Sequence, residues 1–104
     1  GGNAFPKHPP ASTAWLRHEY APYFLTGHAE ISGELFTYDI PKVVTKWEGL
    51  VFGVLSSDFH RRERDIIRRT WGTKRQVLFL LANPTNELYD ELNMFNDLLI
   101  IDMG

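Results

Sequence analysis

Between residues 49 and 102 the chain repeats one alternation: a short unbroken apolar run, then a stretch with helical spacing. The runs are Leu50-Val51-Phe52-Gly53-Val54-Leu55, Val77-Leu78-Phe79-Leu80-Leu81 and Leu98-Leu99-Ile100-Ile101. Each is too short for a buried helix and closes on a turn former (Ser56, Asn83-Pro84, Asp102). Each therefore reads as a strand, the first one buried on both faces. Between the first two runs, residues 59–70 hold Phe59, Ile66, Ile67 and, just beyond, Trp71 near one stripe, with arginines on the rest of the circumference. Ser56, Ser57 and Asp58 are N-cap residues for that helix, and Gly72 is its stop. After Asn83-Pro84, Leu88, Leu92 and Phe95 stand at i, i+4 and i+7 of a second helix. Strands alternating with helices require right-handed crossovers and a parallel sheet. The pattern predicts an α/β, Rossmann-like parallel sheet that is incomplete: three strands are half of a doubly wound sheet, and so apolar a third strand needs a partner or a cover.

Residues 1–48 break this pattern. Pro6, Pro9 and Pro10 fall in a lead-in of little apolar order. Residues 14–49 are aromatic-rich and irregular, with a short helix over 14–20 stopped by Pro22. A half-buried strand over 34–40 is ended by Pro41. The division is thus a stem-like, irregular segment over 1–48 and a βαβαβ unit over 49–104. The chain opens Gly1-Gly2-Asn3 without an initiator Met, and a fragment or processed product is expected.

At 104 residues, 43% apolar and 23% charged, the whole is the size and composition of one small globular domain. It has no cysteine, which removes disulfides, thiolate metal sites and a cysteine nucleophile. No stretch is long and apolar enough to cross a membrane as a helix. Net charge is −2, but it is segregated: residues 61–75 carry seven bases and two acids, residues 76–104 five acids and no base. The acidic surroundings of the basic block and the lack of a recognition motif argue against nucleic acid.

In an open parallel sheet, ligands bind beyond the carboxyl ends of the strands. Here those ends are Ser56-Ser57-Asp58, Ala82-Asn83-Pro84 and Asp102. The first runs straight into a helix N-terminus, where unpaired N–H groups favour an anion. Residues 56–60 contain no glycine, so neither the dinucleotide fingerprint nor a P-loop is present. Arg64 and Arg68 lie one turn apart on one helix face; either can turn back towards the strand ends to a phosphate or carboxylate. Arg61 and Asp65 are an i,i+4 pair. His8, His18, His28 and His60 show no metal-ligand spacing, and Ser56 and Ser57 lack a base-and-orienter set.

The residues Arg64-x-x-Ile67-Arg68-x-Thr70-Trp71-Gly72 resemble the signature of the beta-1,3-galactosyltransferase family, which includes beta-1,3-N-acetylglucosaminyltransferases. The strand and serine turn before it, the run Val77-x-Phe79-Leu80-Leu81, and Glu91-x-x-x-Phe95-x-Asp97-Leu98-Leu99-x-x-Asp102 fall in the family's order, with Phe95 where tyrosine is usual. The resemblance covers residues 49–104; residues 1–48 would be the variable stem. It implies a nucleotide-diphospho-sugar transferase of GT-A type and a UDP-galactose or UDP-N-acetylglucosamine donor. It also implies a glycan acceptor, a beta-1,3 linkage, Mn²⁺, and a Golgi membrane protein facing the lumen. Carried over by position, Ser56, Ser57, Arg64 and Arg68 would stand at the nucleotide edge, Arg64 as a nucleotide contact or structural anchor. Trp71 is expected in the core, and Asp97 and Asp102 as supporting acids. The D-x-D that would hold Mn²⁺ and the general base are absent, so no catalytic and no metal residue is assigned and no turnover is expected of this chain. The alternative is a noncatalytic module whose basic helix, residues 60–69, binds an acidic partner.

Overall fold

The computed structural model describes residues 19–82 and 85–102. They form an α/β fold: strands β1 (Phe24–Ile31), β2 (Glu34–Pro41), β3 (Val51–Leu55), β4 (Gln76–Ala82) and β5 (Leu98–Asp102), with helices α1 (Arg61–Arg69) and α2 (Asn86–Phe95). One mixed sheet carries the strands in the order β1-β2-β5-β4-β3. The three apolar runs are the parallel strands β3, β4 and β5, side by side, as the alternation requires.

The apolar face lies under the helices. Val77, Phe79 and Leu81 alternate along β4 and meet Leu98 and Ile100 of β5 and Leu88, Tyr89 and Leu92 of α2. Each large side chain buried there contributes about 1.5–3 kcal/mol relative to exposure. Ile67 of α1 and Val54 of β3 close the margin of this cluster. α2 starts with Thr85, whose hydroxyl accepts from the Leu88 N–H at 3.3 Å, and ends at Asn96 in the left-handed conformation, φ 56°. The expected break at Asn83-Pro84 lies outside the described residues.

Four expectations need correction. The segment before residue 48 is not irregular throughout: β1 and β2 form an antiparallel hairpin in full register from Phe24↔Pro41 to Ile31↔Glu34. Its turn is Ser32-Gly33, both at positive φ (54° and 83°), the two-residue geometry whose twist suits a hairpin. That hairpin supplies the missing cover. Thr37, Tyr38 and Asp39 of β2 pair antiparallel with Asp102, Ile101 and Ile100, so β5 is an interior strand and the sheet is mixed.

The strand expected to be buried on both faces, β3, is instead the sheet edge, and Leu55 is 85% exposed. Among the described residues its one strand neighbour is β4, and apolar content cannot bury a strand on its unflanked side. The caps differ as well. A 3-10 turn (Asp58–His60) precedes α1, whose N-cap is His60 with no capping side chain. At the other end α1 stops at Thr70, whose hydroxyl donates to the Ile66 carbonyl at 2.6 Å, before Gly72 is reached.

Candidate functional site

The turn that leaves β3 is held from behind by one side chain. Arg64 is 1% exposed, and all five of its N–H groups are engaged. Nε and Nη2 donate to the two oxygens of Glu91 at 2.6 Å each. Nη1 donates to Ser56 Oγ at 2.9 Å and to the Ser57 carbonyl. Nη2 also reaches the Asp58 carbonyl at 3.4 Å. The guanidinium therefore fastens three consecutive residues of the strand-end turn to a carboxylate on α2.

Glu91, 2% exposed, is the hub. Besides the fork from Arg64 it accepts from Arg68 Nη2 at 2.7 Å, and Arg61 lies 3.7 Å away. Arg68 forks onto Asp97 at 2.8 Å through Nε and Nη2 and donates to Asp65 at 2.8 Å. Arg61 closes the ring on Asp65 at 3.1 Å. Three guanidinium groups thus meet three carboxylates, and the charges balance. The Phe95 ring lies under the Arg68 guanidinium at 3.8 Å and beside that of Arg61 at 5.0 Å.

Burial opposes the charge on Glu91, yet the bonds from Arg64 and Arg68 outweigh it and hold the carboxyl below the ordinary glutamate value. Desolvation likewise opposes Asp65, which Arg61 and Arg68 hold low. Burial works against the Arg68 cation, and Asp97 and Glu91 push its pKa up regardless.

The residues singled out by sequence are thus partly united. Ser56, Ser57, Arg64, Arg68 and Asp97 belong to one connected network. Trp71 stands apart and corrects the expectation of a core residue. It is 42% exposed at the surface beside the sheet edge, its ring edge-on to Phe52 of β3 at 5.9 Å. Gly72 has a steric reason to be glycine: a Cβ there would sit 2.6 Å from the Ile67 carbonyl oxygen. Asp102 ends β5 and, with His28, Leu35, Phe36 and Thr37, lines a separate cavity of about 380 Å³.

Ser57 Oγ lies 2.8 Å from His60 Nδ1. Among the described residues His60 has no carboxylate partner, so the pair braces the 3-10 turn and lacks the orienting third member of a nucleophilic serine set. No group of three or more His, Asp or Glu is arranged to hold a metal ion among the described residues.

Glu91 opens the second family-like stretch, but sequence reasoning gave it no role at the site. Its signal was present: it stands three residues after Leu88 and one before Leu92, an acid inside the buried stripe of α2. A charge in such a place requires a buried partner.

Comparison of the chain with family models, with curated proteins and with solved structures finds no match.

Proposed function

We propose that residues 49–104 are the nucleotide-side part of a UDP-sugar-dependent hexosyltransferase that forms a beta-1,3 linkage on a glycan acceptor. One observation carries this reading. The two stretches that resemble the family, Arg64 to Gly72 and Glu91 to Asp102, are far apart in sequence, yet Arg64 and Arg68 from the first meet Glu91 and Asp97 from the second. That convergence supports reading the two stretches as parts of one signature.

In this reading Arg64 is the anchor and not a nucleotide contact, since none of its donors is free. It holds the Ser56–Asp58 turn so that the Ser56 and Ser57 hydroxyls and the turn's backbone stand at the carboxyl end of β3, where a uridine nucleotide is received. Arg68 supports Glu91 from the side. The donor is UDP-galactose or UDP-N-acetylglucosamine, and the setting is the Golgi lumen. The family's Mn²⁺ finds no fitting ligand set among the described residues, so no step is assigned to it and no catalytic group is named. GT-A topology belongs to the same proposal.

The test is a titration of UDP followed by amide chemical shifts, with ADP as control. Shifts confined to Ser56–Arg64 that saturate on the order of 1 mM would support the nucleotide edge. Unmoved amides at ten times that concentration would overturn it, as would an equal response to ADP.

A further inference from the structure

The face of α1 that the ion network leaves over is a second feature of the molecule. Five arginines lie on α1. Arg61, Arg64 and Arg68 are matched by Asp65, Glu91 and Asp97. Arg62 and Arg69 are exposed, and neither has a carboxylate partner among the described residues. Among the described residues Arg69 donates only through its Nε, to the Asp65 carbonyl at 3.3 Å, and its two terminal amino groups have no partner. Arg61, Arg62, Asp65, Arg68, Arg69 and Phe95 line one groove of about 590 Å³ between the two helices.

We infer that this groove is a docking site for an extended acidic peptide. Arg62 and Arg69 are seven residues apart on one helix, about 10.5 Å along its axis. In an extended peptide side chains alternate sides at about 3.3 Å per residue, so acids at positions i and i+4 share one face with the residue at i+2 and span about 13 Å, a distance the long arginine side chains bridge. The floor between them selects against a uniform polyanion. Asp65 contributes a negative carboxylate there, and the Phe95 ring offers an apolar face. A peptide with an apolar residue between its two acids meets Phe95 with that residue and keeps its charges off Asp65. A nucleic-acid backbone, charged at every unit, does not. The guanidinium forks match a carboxylate bidentately.

The experiment is fluorescence anisotropy of the labelled peptide Gly-Glu-Gly-Leu-Gly-Glu-Gly with the chain. Comparison arms carry glutamine for glutamate, adjacent acids, and a thymidylate octamer. Saturable binding is expected, weakened about tenfold between 50 and 500 mM salt because the charges are exposed. The glutamine and adjacent-acid peptides should bind at least about tenfold more weakly, from the geometry of two separated forks. The double variant R62E/R69E should abolish binding while circular dichroism and the UDP-induced shifts stay as they are. If that variant does not fold, R62Q/R69Q carries the same expectation. The inference is overturned if no binding saturates, if either double variant binds as well as the parent, if acid spacing makes no difference, or if the octamer outcompetes the peptide. Because the UDP response is read separately, its absence would sink the transferase reading and leave this one standing.

Discussion

The two arms of the sheet are fastened by opposite means. In the parallel arm, β3 to β5, the helices are cross-linked by a network of three arginines and three acids, buried at Arg64 and Glu91 and open to solvent at Arg61 and Asp65. In the antiparallel arm, the β1–β2 hairpin is joined to α2 through the buried carboxylate of Asp39. Asp39 accepts from Tyr89 Oη and from Thr26 Oγ1, each at 2.6 Å. Tyr20 adds an outer tie, donating to Asp90 at 2.9 Å; burial first, and then that bond, push its phenol up to about 12. The difference teaches where truncation is expensive. A buried ion whose partner is removed is left uncompensated, whereas a lost neutral donor leaves an acceptor that still has other partners.

The sharpest break of that comparison is Glu91→Ala. It strands Arg64, which has no route to water, and should lower unfolding free energy by about 3–5 kcal/mol, read by chemical denaturation. Small domains hold only about 5–15 kcal/mol in total, so loss of cooperative folding is within this range. The double change Arg64→Met with Glu91→Leu should recover most of the loss, because an apolar pair of similar volume is often neutral or better. It should not recover the full order of the Ser56–Asp58 turn, whose Ser56 hydroxyl and Ser57 and Asp58 carbonyls the guanidinium fastens. A single-variant cost below about 1 kcal/mol would show that the network is not what joins the helices.

Acid should weaken the same joint without a mutation, by less, since a protonated glutamic acid keeps its atoms and one donor. The carboxyls of Glu91 and Asp65 are held below their ordinary values of 4.5 and 3.8 in the folded state. Their stabilisation is therefore complete above pH 4.5 and is lost as pH falls through the depressed folded values. Denaturation midpoints should hold between pH 7 and 5 and drop below pH 4, and a Glu91→Gln protein should show a flatter acid limb. An identical acid limb in both proteins would remove Glu91 from the account.

The same contrast explains what could be read in advance. The parallel arm was legible because its strands are continuous apolar runs and α2 carries the buried stripe Leu88 and Leu92. The stripe expected on α1 did not hold: Phe59, Ile66 and Trp71 are exposed, and the side chain α1 buries is Arg64, because its inner face meets the Glu91 carboxylate. The alternation at residues 34–40 revealed β2. Its partner β1 was hidden: Thr26, His28 and Glu30 alternate with Leu25, Gly27, Ala29 and Ile31, too small and mixed a face to stand out. Ser32-Gly33 is also a weaker hairpin signal than Asn-Gly. β3 misled for the converse reason. Its composition is that of a buried strand, and nothing local says which strand lies at an edge. Within the site, Arg64 and Arg68 were visible as a pair on one face, but that Arg64 faces inwards to Glu91 depends on how α2 crosses α1, which only the fold specifies.

Tyr89→Phe probes the hairpin side. The substitution keeps the ring, its tilted contact with Phe24 at 5.9 Å and its place in the core, and deletes one hydrogen bond to Asp39. Asp39 keeps the Thr26 hydroxyl, so the cost should be about 1–2 kcal/mol, below that at Glu91. The loss should also be local. Amide hydrogen exchange should quicken across β1 and β2, and across the Thr37–Asp39 pairing to β5, while β3, β4 and α1 keep their protection. Uniform quickening over the whole sheet would mean that the hairpin and the parallel arm unfold as one unit and that the two fastenings are energetically one. A cost matching that of Glu91→Ala would place the main buried electrostatic joint at Asp39.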